Sequence, residues 1–418
     1  MKSLQQAKDA LAGKRVLVTG GTGFIGGRLV ERLSTECWVS IRVLVRNLPG
    51  ACRIARFPIE FVRGDVTDPE SVARAADGCD VIFHCAYGNT GTEEQQRAVN
   101  LQGTQYVLNA AITKRIGRLV HLSTVLVYGV TPDGDLDERA PRRYLGSVYP
   151  DSKLDAEKLV MHYGQRWGLP VTVLQPAEVY GPYATVWTQN VLQRLKSERL
   201  ILIDGGDGLC SPVYVDDLVS AMMVASVRKE AIGETFLIAA ERPITWKVFY
   251  ARFESMLGVS ATVNMSAEEA RAAYKASQQK RPSLLNEGVR LVFSEPEIRR
   301  RLLRTREAEL LRQLTRRFVS AGYRQSLKKA ALKRKAAAQA QLTSSKNEKP
   351  LEPLDPLTIR LYQTKTVFRI DKAKRMLGYQ PQFSFEAGMR LTRRWANWSN
   401  LLAQDADDGY RRPAKVGS

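Results

Sequence analysis

Thr19-Gly20-Gly21-Thr22-Gly23-Phe24-Ile25-Gly26 follows an apolar run, Val16–Thr19, and opens an amphipathic stretch, Ile25–Ser34. Strand, glycine turn and helix in that order form a cradle for a dinucleotide. Gly20 permits the tight turn. Gly23 lets the backbone approach a pyrophosphate, and Gly26 lets helix and strand pack closely. The helix N-terminus, with Phe24 and Ile25 in its first turn, then faces the phosphates, where its free amides and dipole favour negative charge.

Outward from this turn, short apolar runs alternate with helical patterns. Arg15–Thr19, Ser40–Val45, Glu60–Arg63, Val81–Cys85, Leu119–Ser123 and Val171–Gln175 read as strands. Amphipathic stretches such as Pro69–Ala76 lie between them, an order that predicts a parallel sheet with helices on both faces. Ile201–Ile203 and Glu234–Ile238 are expected to join or flank this sheet. The helix Asp216–Val227 opens with two acids that suit its dipole.

The residue about 20 positions beyond a glycine turn, at the end of the second strand, selects the cofactor. An acid there binds the ribose hydroxyls of NAD; here it is Arg46. No acid lies between Cys37 and Ile59, whereas Arg42, Arg46, Arg53 and Arg56 do. A guanidinium pairs with a 2′-phosphate that a carboxylate would repel, so NADP is favoured, with NAD possible. Asp65 and Val66, at the end of the next strand, fall where an adenine would rest. Asp65 accepts from the adenine amino group or caps a turn.

Composition bounds the rest. Of 418 residues, 44% are hydrophobic and 25% charged, enough for a large core. No run reaches the roughly 18 apolar residues of a membrane span, and Met1 to Lys14 has no signal-peptide core. The five cysteines are scattered, which suits a reducing cytoplasm, and the three histidines lie far apart, so no metal site is expected. Of the +20 net charge, most belongs to one segment: Arg271–Ala340 holds 19 basic and 5 acidic residues. Within it Glu297–Phe318 repeats leucines at helical spacing and Arg324–Gln341 is Lys/Ala-rich, while Leu342–Pro356 reads as a linker. Three coverings suit the leucine stripe: the protein's own surface or a homodimer mate (the favoured case), an anionic membrane, or another protein partner. Nucleic acid is disfavoured, since Phe318 and Tyr323 are the only aromatics within the densest basic run, 299–335.

Tyr149-Pro-Asp-Ser-Lys153 places tyrosine and lysine four apart, on one face of a helix that runs through Asp155–Arg166. A free tyrosine titrates near pH 10. A lysine ammonium and an oxidised nicotinamide would both favour tyrosinate and fit it for acid/base work.

At this point the chain resembles the extended short-chain dehydrogenase/reductases, the NAD-dependent epimerase/dehydratase family, over about residues 14–264 and 360–398. The motifs that carry the resemblance are Thr19–Gly26, Phe83-His84-Cys85-Ala86, Val99-Asn100-Leu101-Gln102-Gly103-Thr104, Ser123–Gly129, Tyr149–Lys153, Gln175–Pro182, Val213–Asp217 and Lys372–Pro381. It implies an α/β fold: a Rossmann-type doubly wound parallel sheet with a small C-terminal substrate lobe, here carrying the basic helical insertion. Residues 14–264 would hold the NAD(P)-binding domain with interleaved parts of the lobe, 265–357 the insertion and linker, 358–400 the rest of the lobe, and 401–418 a polar tail. Tyr149 is then the general acid/base, Lys153 binds the nicotinamide ribose, and Thr124 hydrogen-bonds the reacting oxygen. Ser123 is structural. Ala86 and Tyr87 line the nicotinamide ribose, and Pro176 begins a loop against the nicotinamide. Asn100 either supports the site or bonds within its helix. His84 and His121 read as packing residues.

Departures from the family narrow the substrate. The Asp-Glu pair of sugar-nucleotide dehydratases is replaced by Val125 and Leu126, which removes the acid and base of that elimination. Glu178 stands where many sugar-nucleotide enzymes have Asn, and Cys210 where they have Arg, both facing the substrate diphosphate. Gln175 replaces another common arginine. A diphosphate is thereby disfavoured, unless Arg142, Arg143 or the insertion supplies charge. The expected activity is hydride transfer at a secondary alcohol or ketone of a sugar-like or polyketide-like small molecule. A nucleotide-sugar epimerase with tightly held NAD(P) is the alternative within enzymes, and a cofactor-binding scaffold or regulatory protein the alternative outside them.

Overall fold

A computed structural model describes residues 2–279 and 350–402. Seven parallel strands form the central sheet, in the order Glu234–Ile238, Val171–Pro176, Arg118–Leu122, Val81–His84, Arg15–Thr19, Ser40–Val45, Ile59–Arg63. The aliphatic runs form strands because both faces are covered. Val16 and Val18 point to one core, with Leu29, Val30, Leu33 and Leu218, while Leu17 points to the other, with Ile82, Val107, Leu108 and Val160. Successive side chains of a strand alternate faces, so one short run serves both layers. The strand order reverses between Arg15–Thr19 and Val81–His84. At such a switch point the loops beyond the strands' carboxyl ends part and leave a crevice.

Beyond the main sheet, a smaller lobe is built from short strand pairs contributed by distant segments. Gly134–Leu136 pairs with Thr366–Phe368, Val179–Tyr180 with Val213–Tyr214, and Leu209–Cys210 with Ile244–Thr245. Glu234–Ile238 joins the main sheet as an edge strand. Leu200–Ile203 does not: it pairs with Thr262–Met265. The helix Asn190–Ser197 carries the chain off the sheet first, and Ala267, Ala270, Leu354 and Ile359 cover the strand's apolar side chains in the lobe instead.

The leucine-repeat helix Glu297–Phe318, the run Arg324–Gln341 and the tail from Ala403 lie outside the described residues. Both described ends of the segment 265–357 pack on neighbouring elements. The helix Ala267–Gln279 packs on the helix Pro356–Gln363, and Leu351 bridges to Arg199. Asp355 caps the latter helix by accepting from the Leu357 and Thr358 amides, with Pro356 at its first position. The stretch read as a linker up to Pro356 is therefore anchored from Pro350 onward. Among the described residues no helix is long and apolar enough to cross a membrane, and no cluster of His, Cys, Asp or Glu could hold a metal ion.

Candidate active site

The strand Arg15–Thr19 ends in Gly20, at φ +70°, a conformation costly for residues with a side chain. A Cβ there would also lie 2.7 Å from the Ala86 amide nitrogen, and one on Gly26 would overlap the Gly20 carbonyl. Strand, loop and helix thus meet backbone to backbone. Gly23 begins the helix Phe24–Glu36 with no side-chain cap. The first-turn amides are left for an anion, so the loop fits a pyrophosphate.

The arginines beyond the second strand divide. Arg42 is buried and donates to the Ala75 and Asp77 carbonyls. Arg53 is held by Glu31, donates to the Phe24 carbonyl at 3.3 Å, and lies 4.0 Å over the Tyr183 ring. Arg56 reaches Glu31 at 3.5 Å. Arg46 alone stands at the strand's end with a 70% exposed side chain, 3.8 Å from an Asp65 carboxylate oxygen. Asp65 caps its turn with the other oxygen, accepting from the Thr67 amide and hydroxyl. Val66 sends its side chain into the core beside Gly103.

Across the crevice, the helix Val148–Trp167 puts Tyr149 in its first turn. The Thr124 hydroxyl accepts from the Leu126 amide at the start of a tight 3₁₀ turn. Lys153 is buried one turn along and donates to the Leu122 carbonyl. Burial, more than the neighbouring Tyr87, pushes the Tyr149 phenol up to about 12, against the influence of the Thr124 hydroxyl. Burial also lowers Lys153 to about 8. Tyr87 is half-exposed and meets Tyr149 edge-on, with ring centroids 5.9 Å apart. Thr124, Tyr149, Lys153 and Tyr87 therefore converge at the strands' carboxyl ends.

Asn100 lies in a π-helical turn, Ala98–Gln102. Its amide exchanges hydrogen bonds with the Gly88 backbone and donates to Ser152 Oγ at 2.9 Å. Ser152, which no sequence reading picked out, passes its own hydrogen to the Tyr149 carbonyl. Ser123 Oγ and both ring nitrogens of His121 have no hydrogen-bond partner among the described residues.

Glu178 and Cys210 are both withdrawn into the lobe. Glu178 accepts from the Ser211 amide at 2.9 Å, and burial raises its carboxyl above the usual range. The Cys210 thiol donates to the Ile244 carbonyl. Arg142 is held by Glu157 at 2.6 Å, and Gln175 links Glu157 to the Tyr128 hydroxyl. A groove of about 1320 Å³ runs between Arg139–Arg143 and Arg369–Arg375; none of Thr124, Tyr149 or Lys153 lines it.

Residues 16–239 match the NAD dependent epimerase/dehydratase family. Among characterised relatives, the chain is 31% identical over 267 residues to a 4-hydroxy-2-methyl-3-oxo-4-farnesyl-3,4-dihydroquinoline-1-oxide ketoreductase of Stigmatella aurantiaca, covering 62% of this chain and 78% of that one. It is 34% identical over 255 residues to a dTDP-glucose 4,6-dehydratase of Streptomyces niveus, covering 55% and 74%. An epimerase structure from Methanothermobacter thermautotrophicus superposes with a TM-score of 0.66 at 21% identity, over 95% of this chain and 97% of that one. A match over more than half of the chain, on the fold and glycine loop described above, places it: the chain belongs to the NAD-dependent epimerase/dehydratase family, whose members are NAD(P)-dependent enzymes.

Proposed function

We propose that the protein is an NADP(H)-preferring oxidoreductase that reduces a ketone of a polyketide-like or sugar-like small molecule to a secondary alcohol. The observation that carries this reading is Tyr149 and buried Lys153 one turn apart on one helix, with Lys153 tied to the end of the strand that leads to Thr124. The phenol titrates at about 12, so at neutral pH it keeps a proton to give. Ala86, Tyr87 and Pro176 would hold a nicotinamide, which would supply the hydride. Thr124 orients the carbonyl oxygen, Tyr149 delivers a proton to that oxygen as its charge develops, and Lys153 holds the ribose hydroxyls. The glycine loop, Asp65, Val66 and Asn100 would complete the cofactor site, and Arg46 would pair with a 2′-phosphate.

The substrate reading rests on Glu178 and Cys210. A carboxyl engaged by Ser211 and a buried thiol offer no positive charge to a diphosphate. Arg142, one alternative source of charge, is already paired with Glu157. A ketone without a nucleotide handle fits better than a nucleotide sugar, and the quinoline-oxide ketoreductase relative acts on such a ketone.

The test is NADPH consumption with an α-alkyl β-keto ester. Tyr149→Phe should bind NADPH as before and lose at least ~100-fold in turnover. Near-normal turnover in that variant would place the chemistry elsewhere. UDP and dTDP at millimolar concentration should leave the melting temperature unchanged; a clear rise with either would favour the epimerase reading.

A further inference from the structure

His84 closes the strand Val81–His84 and is 1% exposed. Its Nδ1 lies 2.7 Å from Thr19 Oγ1 and its Nε2 2.9 Å from Thr104 Oγ1. The neighbours fix the direction of both bonds. Thr104 gives its one hydroxyl hydrogen to the Asn100 carbonyl, at 2.6 Å, so toward His84 it can only accept. The hydrogen of the neutral ring is therefore on Nε2. Nδ1 is left as a bare acceptor, and the Thr19 hydroxyl donates to it. Thr19 Oγ1 in turn accepts from the Ala86 amide at 3.4 Å. All the hydrogens run one way: Ala86 to Thr19, Thr19 to His84, His84 to Thr104, Thr104 to Asn100.

The two ends of this chain are the two halves of the site. Thr19 and Ala86 adjoin the glycine loop and the ribose-lining residues. Asn100 grips Gly88 and Ser152, and Ser152 holds the Tyr149 carbonyl at 3.1 Å. Burial keeps the imidazole neutral, at about 3, as the bond directions require. Lys153, whose charge also disfavours the imidazolium, is the ionisable group facing the ring from the catalytic helix; His121 faces it from the neighbouring strand. His121 is the informative contrast. It stands directly across from His84 in the sheet register, with rings 5.3 Å apart, yet neither of its nitrogens has a partner among the described residues.

We propose that His84 is a positioning residue for the reaction. As a neutral Nε2–H imidazole it ties the π-turn of Asn100 to the strand ends beside the glycine loop, and through Ser152 it sets where the Tyr149 hydroxyl stands. The proposal rests on the reading of Tyr149 as proton donor. A misplacement of about 1 Å at a reacting group can cost up to ~100-fold in rate, which makes such a tether worth testing.

Two measurements test it. In ¹⁵N-histidine NMR of the whole protein, with the His84 signal assigned by its loss in His84→Gln, the ring should stay an Nε2–H tautomer from about pH 5 to about pH 9. Titration in that range, or an Nδ1–H tautomer, would overturn the proposal. The second measurement is NADPH-dependent reduction of the same β-keto ester. A glutamine amide reaches the Nε2 position and keeps a donor for Thr104; an asparagine is too short. His84→Asn should lower kcat by about 10-fold or more with the KM for NADPH within about threefold, and His84→Gln should restore most of it. His121→Leu, an equally buried change with no hydrogen bond to lose, should stay within about threefold of the parent. Adding Thr104→Val to His84→Asn should cost little more, since both cut one link. Equal losses in the Asn and Gln variants, a parent-like kcat in the Asn variant, or fully additive effects would sink the idea. If the Asn variant does not fold, Thr104→Val alone cuts the link with the ring in place and must show the same kcat loss. Tyr149→Phe separates the two readings. If it keeps turnover, the proton-donor reading fails; if it abolishes turnover and His84→Asn does not, only the tether fails.

Discussion

Lys153 and Tyr149 are shifted by burial in ways that fit proton donation rather than proton removal. Below about pH 8 Lys153 is an ammonium and Tyr149 a neutral phenol. As pH rises through about 8 the ammonium is lost first. The kcat/KM for ketone reduction should therefore be flat below that pH and fall tenfold per unit above it; a profile rising through pH 8 to 9 would contradict the assignment. Stability should move the other way. The folded lysine titrates at about 8 and the unfolded one at 10.5, so between these values the unfolded chain holds more protons. This group's contribution to stability then rises with pH across that window. Arg46 invites a second prediction. NADPH should bind more tightly than NADH, and Arg46→Asp should reverse or abolish the difference, a charge-assisted contact contributing roughly 1.5–3 kcal/mol. Equal affinity of the parent for both cofactors would refute it. The glycine loop and the Tyr-Lys pair were legible in sequence because each is a local pattern with a chemical reason. The division of labour among Arg42, Arg46, Arg53 and Arg56 was not, since Glu31 and the Asp77 carbonyl become partners only in the fold. Ser152 and His84 escaped for the same reason: nothing near Thr104 or Asn100 in sequence announces a bond to a strand end or a distant helix.

The helix Phe24–Glu36 crosses its strand so closely that Gly26 has no room for a methyl group. Gly26→Ala should force the loop outward, lowering stability by roughly 1–3 kcal/mol and weakening cofactor binding, both readable in melts with and without NADPH. An unchanged melting temperature with full cofactor protection would show that the loop yields freely. The main strands could be read from sequence because short aliphatic runs such as Val16–Val18 and Val43–Val45 recur between helical patterns. The lobe's strands could not. Two-residue pairs such as Val179–Tyr180 with Val213–Tyr214 carry no periodicity. Leu200–Ile203 looked like a sheet strand because its residues do not say which neighbour they will find. The alternation of strands and helices settled the sheet, and only the tertiary contacts of Met265 and Ile359 settled the lobe.

At the scale of the molecule, the described residues on either side of 280–349 pack on one lobe. Arg271 bonds Gln363, the Arg199 amide donates to the Pro350 carbonyl, and Glu352 pairs with Arg194. A deletion that leaves the lobe intact must therefore spare these residues and remove only 281–348, joined by a Gly/Ser linker. That variant should retain cofactor binding and turnover, since no residue of the candidate site lies in the segment. If the leucine stripe rests on the protein or on a dimer mate, the variant should also melt lower or lose solubility. A variant as stable, soluble and dimeric as the parent would contradict that covering. The pairing of Gly134–Leu136 with Thr366–Phe368 has a consequence in time. The ribosome completes the seventh sheet strand at Ile238, well before it makes the partner that the lobe needs. The Tyr180 hydroxyl waits still longer, for the Phe385 carbonyl. Loops this long close slowly, and chains of this size fold through intermediates. The nascent protein should therefore acquire its nucleotide cradle first and complete the substrate lobe only near the end of synthesis. Arrested chains ending near residue 265 would then bind NADPH weakly or transiently, while those ending near residue 350 would still lack a closed lobe.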